Sequence, residues 1–392
     1  MGNNMRKLCE NVFALGVKDQ KRKLFDALIP LPDGTSYNSY MVAGADKTAI
    51  IDAADPMFVR EWMDNIRETG RKPDYLISNH AEQDHSGGIV DFIREYPDAK
   101  IVTNGKCREM LMCLLHVPEE KFIVVKDREE LNLGGCTLEF YLAPWVHWPD
   151  TMFTFLREER VLFSCDFLGA HYASDDLFVR DEQLVYRSAK RYYAEIMMPF
   201  RPQIRKYLEL VKGLAPKIIA PSHGQVYNRP EFILEAYDDW ASDRTRDVLI
   251  MYVSMHESVR RMAEIIRDEL ESQSVTVKML NLTEVDLGEV AMELVDAEAV
   301  LLGSPTVLTG AHPAAVYAAF LFNALRPKAK YLGIFGSYAW GGRMVEQLAG
   351  LVVSVKPEVL PPLMCKGLPA DEDKTKISAW ARELGDRMQR QG

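Results

Sequence analysis

The sequence predicts an α/β protein in two parts, a sandwich built from mixed sheets followed by a doubly wound parallel sheet. Three observations carry this. Through residue 245, short strand-like runs follow one another with too little chain between several of them for a crossover helix, so some pairing must be antiparallel. From residue 246 on, five strand-like runs alternate with five helical ones, the rhythm of a doubly wound sheet. The polar run Asp243-Arg244-Thr245-Arg246 separates the two patterns and sets the predicted boundary, giving domains 1–245 and 246–392.

In the first part the strand-like runs are 36–43, 48–52, 74–78, 101–103, 122–125, 137–142 and 152–155. Helical periodicity marks 56–68, 88–96, 106–116 and a long tract over 182–214. In the second part the strands are 248–253, 275–280, 299–303, 331–336 and 358–363. The helices between and after them are 258–272, 289–295, 313–324, 341–353 and 371–389.

Bulk properties narrow the function classes. A chain of 392 residues suits two to three domains. The formal net charge of −10 argues against a nucleic-acid binder, because neutralising phosphates needs a basic face. No apolar run approaches the ~20 residues of a membrane span, and residues 1–16 lack the pattern of a signal peptide. The six cysteines include no Cys-x-x-Cys pair, which fits a reducing, cytoplasmic setting better than a disulfide framework.

The densest chemistry is Asn79-His80-Ala81-Glu82-Gln83-Asp84-His85-Ser86-Gly87-Gly88, just after an apolar strand. The carboxyl end of a strand is where an α/β sheet presents ligands. A lone His there is ordinarily a core or surface residue. Two His and two carboxylates within six residues are not accounted for by burial, since each would need a partner. Gly87-Gly88 is expected to let the backbone bend around an ion. His147, Asp166 and His223 each follow another apolar run and are candidates to complete two sites. His116, His256 and His312 read as unrelated to a metal.

The run His80-x-Glu82-x-Asp84-His85, with His147, Asp166 and His223, resembles the metallo-β-lactamase-like domain of flavodiiron proteins. The wider hydrolase superfamily uses His-x-His-x-Asp-His around a zinc pair, and here Glu82 stands at the second His. A carboxylate is the harder ligand and favours iron or manganese over zinc. The resemblance implies an αββα sandwich with one iron on His80, Glu82 and His147, the other on Asp84, His85 and His223, and Asp166 between them. Cys165 is expected to point to the opposite face of its strand. Either tyrosine of Tyr192-Tyr193-Ala194 could donate into the site, although packing is the more ordinary role; Tyr193 is the one singled out, with His171 as a further polar group. The early-loop His of many family members is absent from Leu24-Phe25-Asp26-Ala27-Leu28.

The second part resembles a flavodoxin. Ser254-Met255-His256-Glu257-Ser258-Val259 follows its first strand and opens a helix, where hydroxyls and amides form an anion cradle for the FMN phosphate. The family commonly has Ser-Thr where this chain has Ser258-Val259, so one hydroxyl is missing. His256 stands where an aromatic is common, and Glu257 brings negative charge near the phosphate. Ser304, Pro305, Thr306 and Leu308 after the third strand, and Ser337, Tyr338, Trp340, Gly341 and Gly342 after the fourth, would line the flavin ring.

The resemblance implies an oxidoreductase that reduces O2 to water, NO to N2O, or both, with electrons passing through FMN to two irons. Lacking paired cysteines, the chain is expected to use an external donor: rubredoxin, reduced F420 or another flavoprotein. In the family the flavin and irons of one chain lie far apart, so a head-to-tail homodimer, or a dimer of dimers, is implied. Two other readings stay open. A zinc-dependent hydrolase with a flavodoxin-like appendage would be colourless when purified. A non-catalytic FMN electron carrier would hold flavin and almost no iron.

Overall fold

The structure, a computed structural model, describes residues 6–390. The chain forms two units: one takes residues up to 193 together with 200–241, the other takes 194–199 and everything from 242 on.

The first unit is built on two sheets. The larger has the strand order Arg6–Cys9, Val12–Ala14, Tyr40–Ala43, Thr48–Ile51, Tyr75–Ile77, Lys100–Asn104, Phe122–Val125. Pairing is antiparallel as far as Thr48–Ile51 and parallel beyond it. The second sheet runs Glu130–Asn132, Thr137–Leu142, Met152–Leu156, Val161–Cys165, Ile218–Pro221, with only the last pair parallel. Period-two alternation decides what each residue faces. Ala49 and Ile51 pack toward the second sheet with Phe140, Met152 and Phe163, while Ile50 joins Trp62, Ile66 and Phe92 of the covering helices.

Two runs read from the sequence as continuous are divided. Residues 36–43 split into Thr35–Tyr37, paired with Val17–Asp19, and Tyr40–Ala43 in the main sheet. The tract 182–214 breaks into Glu182–Tyr192 and Arg201–Leu214, joined by a wide turn over Tyr193–Met197 and a tight one over Met198–Phe200. Pro199 and Pro202 supply no amide donors, so an unbroken helix could not be hydrogen-bonded through them. The hairpin Arg6–Cys9/Val12–Ala14 had no sequence signal strong enough to single it out.

The second unit has the strand order Val277–Asn281, Asp247–Tyr252, Ala297–Val307, Tyr331–Tyr338, and then an edge made of Glu358–Val359 and Leu363–Lys366. All of these pairings are parallel. The order 2-1-3-4-5 is the doubly wound flavodoxin arrangement. The edge run 358–363 is interrupted because Pro361 and Pro362 cannot donate to a ladder. Helices Ser258–Ser272 and Asp371–Gln389 share one core with the sheet, while Leu287–Leu294 and Met344–Leu351 each contact Pro313–Leu325, and all three contact the strand Ala297–Val307. Asp247–Tyr252, Ala297–Val307 and Tyr331–Tyr338 are adjacent and parallel, so the loops after them gather at one end. No helix among the described residues is long and apolar enough to cross a membrane.

Candidate metal centre

Four strand ends deliver the expected ligands to one place in the first unit. The His80 loop follows Tyr75–Ile77 of the larger sheet, and a short helix, Gln83–Ser86, carries Asp84 and His85. His147 follows Thr137–Leu142, Asp166 follows Val161–Cys165, and His223 follows Ile218–Pro221. All seven side chains are brought together, in two groups. His80, Glu82, His147 and Asp166 form one; Asp84, His85 and His223 form the other, their ligand atoms within 4.8 Å of one another in each.

Asp166 faces both groups with different oxygens. Its Oδ2 lies 3.7 Å from His80 Nε2 and 3.5 Å from His147 Nε2. Its Oδ1 lies 3.0 Å from His85 Nε2 and 3.3 Å from His223 Nε2. Glu82 Oε2 is 3.2 Å from His80 and 3.3 Å from His147, and Asp84 Oδ2 is 3.3 Å from His85 and 3.2 Å from His223. Donor atoms bonded to one ion at about 2.1 Å stand about 3.0 to 3.4 Å apart along the edges of its coordination polyhedron. The Asp84–His85–His223 contacts, those of Glu82 with His80 and His147, and those of Asp166 Oδ1 with His85 and His223 have that spacing, while Asp166 Oδ2 stands slightly farther from His80 and His147.

The hydrogen bonding leaves the same gap. Both Asp84 oxygens and both His85 nitrogens are buried without a hydrogen-bond partner, although His85 Nε2 is 3.0 Å from Asp166. That contact lacks hydrogen-bond direction, as expected when two lone pairs aim at a common point. Buried polar atoms left unmatched are costly and call for a partner such as an ion. The donor set therefore fits two metal ions.

Electrostatics agree. Burial alone would lower His147 and His223, yet the close carboxylates of Asp166 and of Glu82 or Asp84 outweigh it, raising His147 to about 9 and His223 to about 10. Burial would raise Glu82, but His147 and His80 hold it down at about 2. Asp166 is likewise held well below the usual carboxylate range against its burial, by His85, His147 and His223. Three carboxylates in one buried pocket demand positive charge, from protons or from metal.

Supporting residues fix the ligands. Asp150 Oδ2 is 3.0 Å from His80 Nδ1 and accepts the Ala81 amide at 2.8 Å. His223 Nδ1 donates to the Ser36 carbonyl at 2.6 Å. Asp52 accepts the Asn79 amide at 2.8 Å and its side-chain Nδ2 at 2.9 Å, anchoring the loop just before His80. These partners hold the far ring nitrogens and so set which nitrogen faces the ion. Asp150, Asp52 and Ser36 carried no local signal that would mark them as partners of the ligand loop.

Several expectations are corrected. Tyr192, not Tyr193, reaches the site: its hydroxyl donates to Asp166 Oδ1 at 3.0 Å. Tyr193 packs against Tyr237 and Trp240. Neighbouring helical residues point about 100° apart, so only one of the pair can face the pocket. Cys165 does not point away. Its Sγ lies 3.8 Å from Asp166 Oδ2, because a bulge and a φ of +53° interrupt the strand's alternation there. Burial pushes this thiol far up, so it stays protonated. Gly87 and Gly88 have ordinary helical φ of −57° and −81°. What they supply is room, since a Cβ on Gly88 would come within 2.6 Å of the Trp62 ring.

His171 is buried beside the site, with Nδ1 2.9 Å from Thr35 Oγ1 and its ring against Tyr192 and His223. Burial, then His223, holds it well below its ordinary value, so it stays neutral. A cavity of about 290 Å³ lined by Arg22, Asp26, Asp55, Glu82 and Asp84 forms a polar mouth. Burial and the nearby Glu82 and Asp84 raise Asp26 to about 6.

In the second unit the three predicted loops lie together. Ser304 and Pro305 pair in register with Gly336 and Ser337. Met255, Leu308 and Trp340 are 51%, 89% and 78% exposed, one on each loop, an apolar set suited to a flat ring. Thr306 touches the position a Gly342 Cβ would occupy, and Gly341 and Gly342 hold φ of +124° and +154°. Tyr338 ends its strand half-buried. One expectation needs correcting. The Ser304 hydroxyl donates to the Pro305 carbonyl and accepts the His312 amide, so its side chain is structural. The Val259 side chain is in the core and offers the loop only its backbone.

Residues 35–224 match the ODP family beta lactamase, and residues 250–380 match the flavodoxin family. The chain is 34% identical to a nitric oxide reductase of Moorella thermoacetica, covering 91% of each chain. Its structure superposes on the rubredoxin oxygen:oxidoreductase of Desulfovibrio gigas with a TM-score of 0.93, 28% identity, and coverage of 98% of this chain and 99% of the other. The flavodiiron protein of Giardia intestinalis gives a TM-score of 0.90 at 27% identity, covering 99% and 97%. With both domains in sequence and full-length likeness to such enzymes, the chain belongs to the flavodiiron proteins.

Proposed function

We propose that this chain reduces dioxygen to water, nitric oxide to nitrous oxide, or both, at a two-iron site fed with electrons through FMN. The observation that carries the reading is the double grouping of six donor side chains around the two oxygens of the seventh, Asp166. In this reading His80, Glu82 and His147 hold one iron, Asp84, His85 and His223 the other, and Asp166 bridges. When bound there, two reduced irons would supply redox chemistry toward a diatomic gas. The chain's own residues do the rest. Asp150 and the Ser36 carbonyl keep His80 and His223 in the tautomer that leaves Nε2 free for metal. Tyr192 braces the bridging carboxylate through its hydroxyl. Arg22 and Asp26 put charged groups in the mouth beside Phe25 and Met57, where protons consumed in the reaction would enter.

FMN belongs on the three loops of the second unit, which follow the crevice rule for parallel sheets. Supporting it are the flavodoxin match and the exposed apolar trio. Rubredoxin, reduced F420 or another flavoprotein would supply electrons, and a head-to-tail homodimer would set one copy's flavin against the other's irons. Division of labour at 245/246 and a cytoplasmic setting belong to the same proposal; the described cysteines are all free, which suits a reducing compartment.

The test is anaerobic reduction followed by separate mixing with each gas, with metal and flavin counted in the same sample. Rapid flavin reoxidation by at least one gas, with two irons and one FMN per chain, is expected. A colourless protein holding zinc and inert to both gases would defeat the proposal.

A further inference from the structure

We propose that Arg260 is a phosphate-binding residue of the flavin site, and that Glu257 holds its guanidinium beside the cradle until the phosphate takes it. The inference rests on the flavin reading of the second unit and adds a group that reading does not use. Helix Ser258–Ser272 opens immediately after the first strand's loop, with Glu257 as its N-cap at φ +66° and no side-chain cap. Its first amides therefore have no partner inside the helix and face the space where an anionic ligand sits. The hydroxyl supply is Ser254 and Ser258, one fewer than the family commonly has. Val259 is buried in the core and adds none. The Ser254 oxygen already accepts the Arg260 amide at 3.2 Å, which leaves its proton to donate.

Charge makes the deficit worse. Glu257 is a half-exposed carboxylate at the very start of the helix, where a phosphate would add about two more negative charges. Left alone, like charges this close oppose binding. Arg260 corrects the balance. Its Nη1 lies 3.5 Å from Glu257 Oε2 and its Nε 3.1 Å from Glu264 Oε1, so the guanidinium lies along the exposed helix face between the N-cap and the second turn, on a flexible stem. Two loose, solvent-exposed pairs hold it, each worth little. A phosphate offers the same fork a bidentate, charge-assisted partner, which is the stronger bond. Arg260 thus supplies what the missing hydroxyl and the Glu257 charge take away. The flavin ring, seated against Met255, Leu308 and Trp340, is untouched by the exchange.

The ring and the phosphate can be tested apart. The full-length chain, stripped of flavin, is titrated with FMN and with riboflavin, which lacks the phosphate, and binding is followed by flavin fluorescence quenching. Arg260→Ala should weaken FMN about tenfold and leave riboflavin within about twofold, the size of one charge-assisted contact. Arg260→Lys should fall between, and Glu257→Gln should tighten FMN alone. Unchanged riboflavin binding also shows that each variant folds. Equal loss for both flavins, or no loss for FMN, overturns the role of Arg260. If the unaltered chain binds neither flavin, the flavin reading falls and takes this inference with it.

Discussion

His80 has two ring nitrogens, and only one faces the metal pocket; Asp150 decides which. Removing that carboxylate frees the ring to turn and lowers the basicity of Nε2. Asp150→Ala should weaken metal binding at the His80 group by about 10- to 100-fold and leave the Asp84–His85–His223 group nearly intact. Competitive metal titration that reports two separate affinities checks this, and equal weakening of both would count against it. Glu82→His makes the opposite kind of change, replacing a hard oxygen donor with a softer one. The variant should take up zinc in preference to iron when both are offered, as metal analysis would show. The imidazoles also set a pH dependence. In the metal-free fold His147 titrates near 9 and His223 near 10, against about 6.5 in an unfolded chain. Their protons thus stabilise the metal-free fold fully below about pH 6.5, and that stability is lost as pH rises through 9 to 10. Melting temperature of the stripped protein should therefore fall between pH 7 and 10. Adding metal at pH 7.5 should release protons into weak buffer and bind more tightly as pH rises.

At the scale of elements, the motifs were legible where a strand end and its ligand are contiguous in sequence, as with His80–His85, Asp166 and His223. The alternation of strands and helices after residue 246 was legible for the same reason: each element is long and its periodicity local. What the sequence could not give depends on contacts distant along the chain. Asp52 meets Asn79 across 27 positions, and Ser36 meets His223 across 187. The choice of Tyr192 over Tyr193 turns on helix phase, which a break at 193–200 leaves undefined from periodicity alone. Cys165 escaped prediction because a bulge overrode the period-two rule. Strand packing in the second unit leads to a sharper test. A Cβ on Gly336 would lie 2.0 Å from the Ser304 carbonyl oxygen, a backbone atom that can move only if the strand moves. Gly336→Ala should cost about 1 to 3 kcal/mol by overpacking and shift two flavin loops, since Ser304 and Gly336 are paired in register. Flavin content should drop sharply while iron content stays normal. Loss of both would show that the units do not fold independently.

For the whole molecule, the question is how electrons held by the second unit reach donors built in the first. The proposed head-to-tail dimer answers it by pairing the flavin of one copy with the irons of the other, through a two-fold interface that each copy completes. Two damaged chains separate this from transfer within one chain. Asp166→Asn removes the carboxylate shared by both metal groups, so that chain keeps a working flavin and a defective metal site. Gly336→Ala keeps the metal site and loses the flavin. Alone, each should be nearly inactive in gas reduction. When the two are mixed and allowed to exchange subunits, half of the dimers become mixed. Each mixed dimer sets the sound flavin of one chain against the sound irons of the other, restoring one of its two electron paths. Activity should then recover to roughly a quarter of the unaltered value, rising over the time of subunit exchange as sedimentation shows hybrids forming. If electrons stay within one chain, neither parent nor hybrid contains a complete path, and the mixture should remain as inactive as its parts. Recovery that appears instantly, before subunits exchange, would instead mean that reduced flavin leaves one protein and enters another, and the dimer would no longer be needed to explain the transfer.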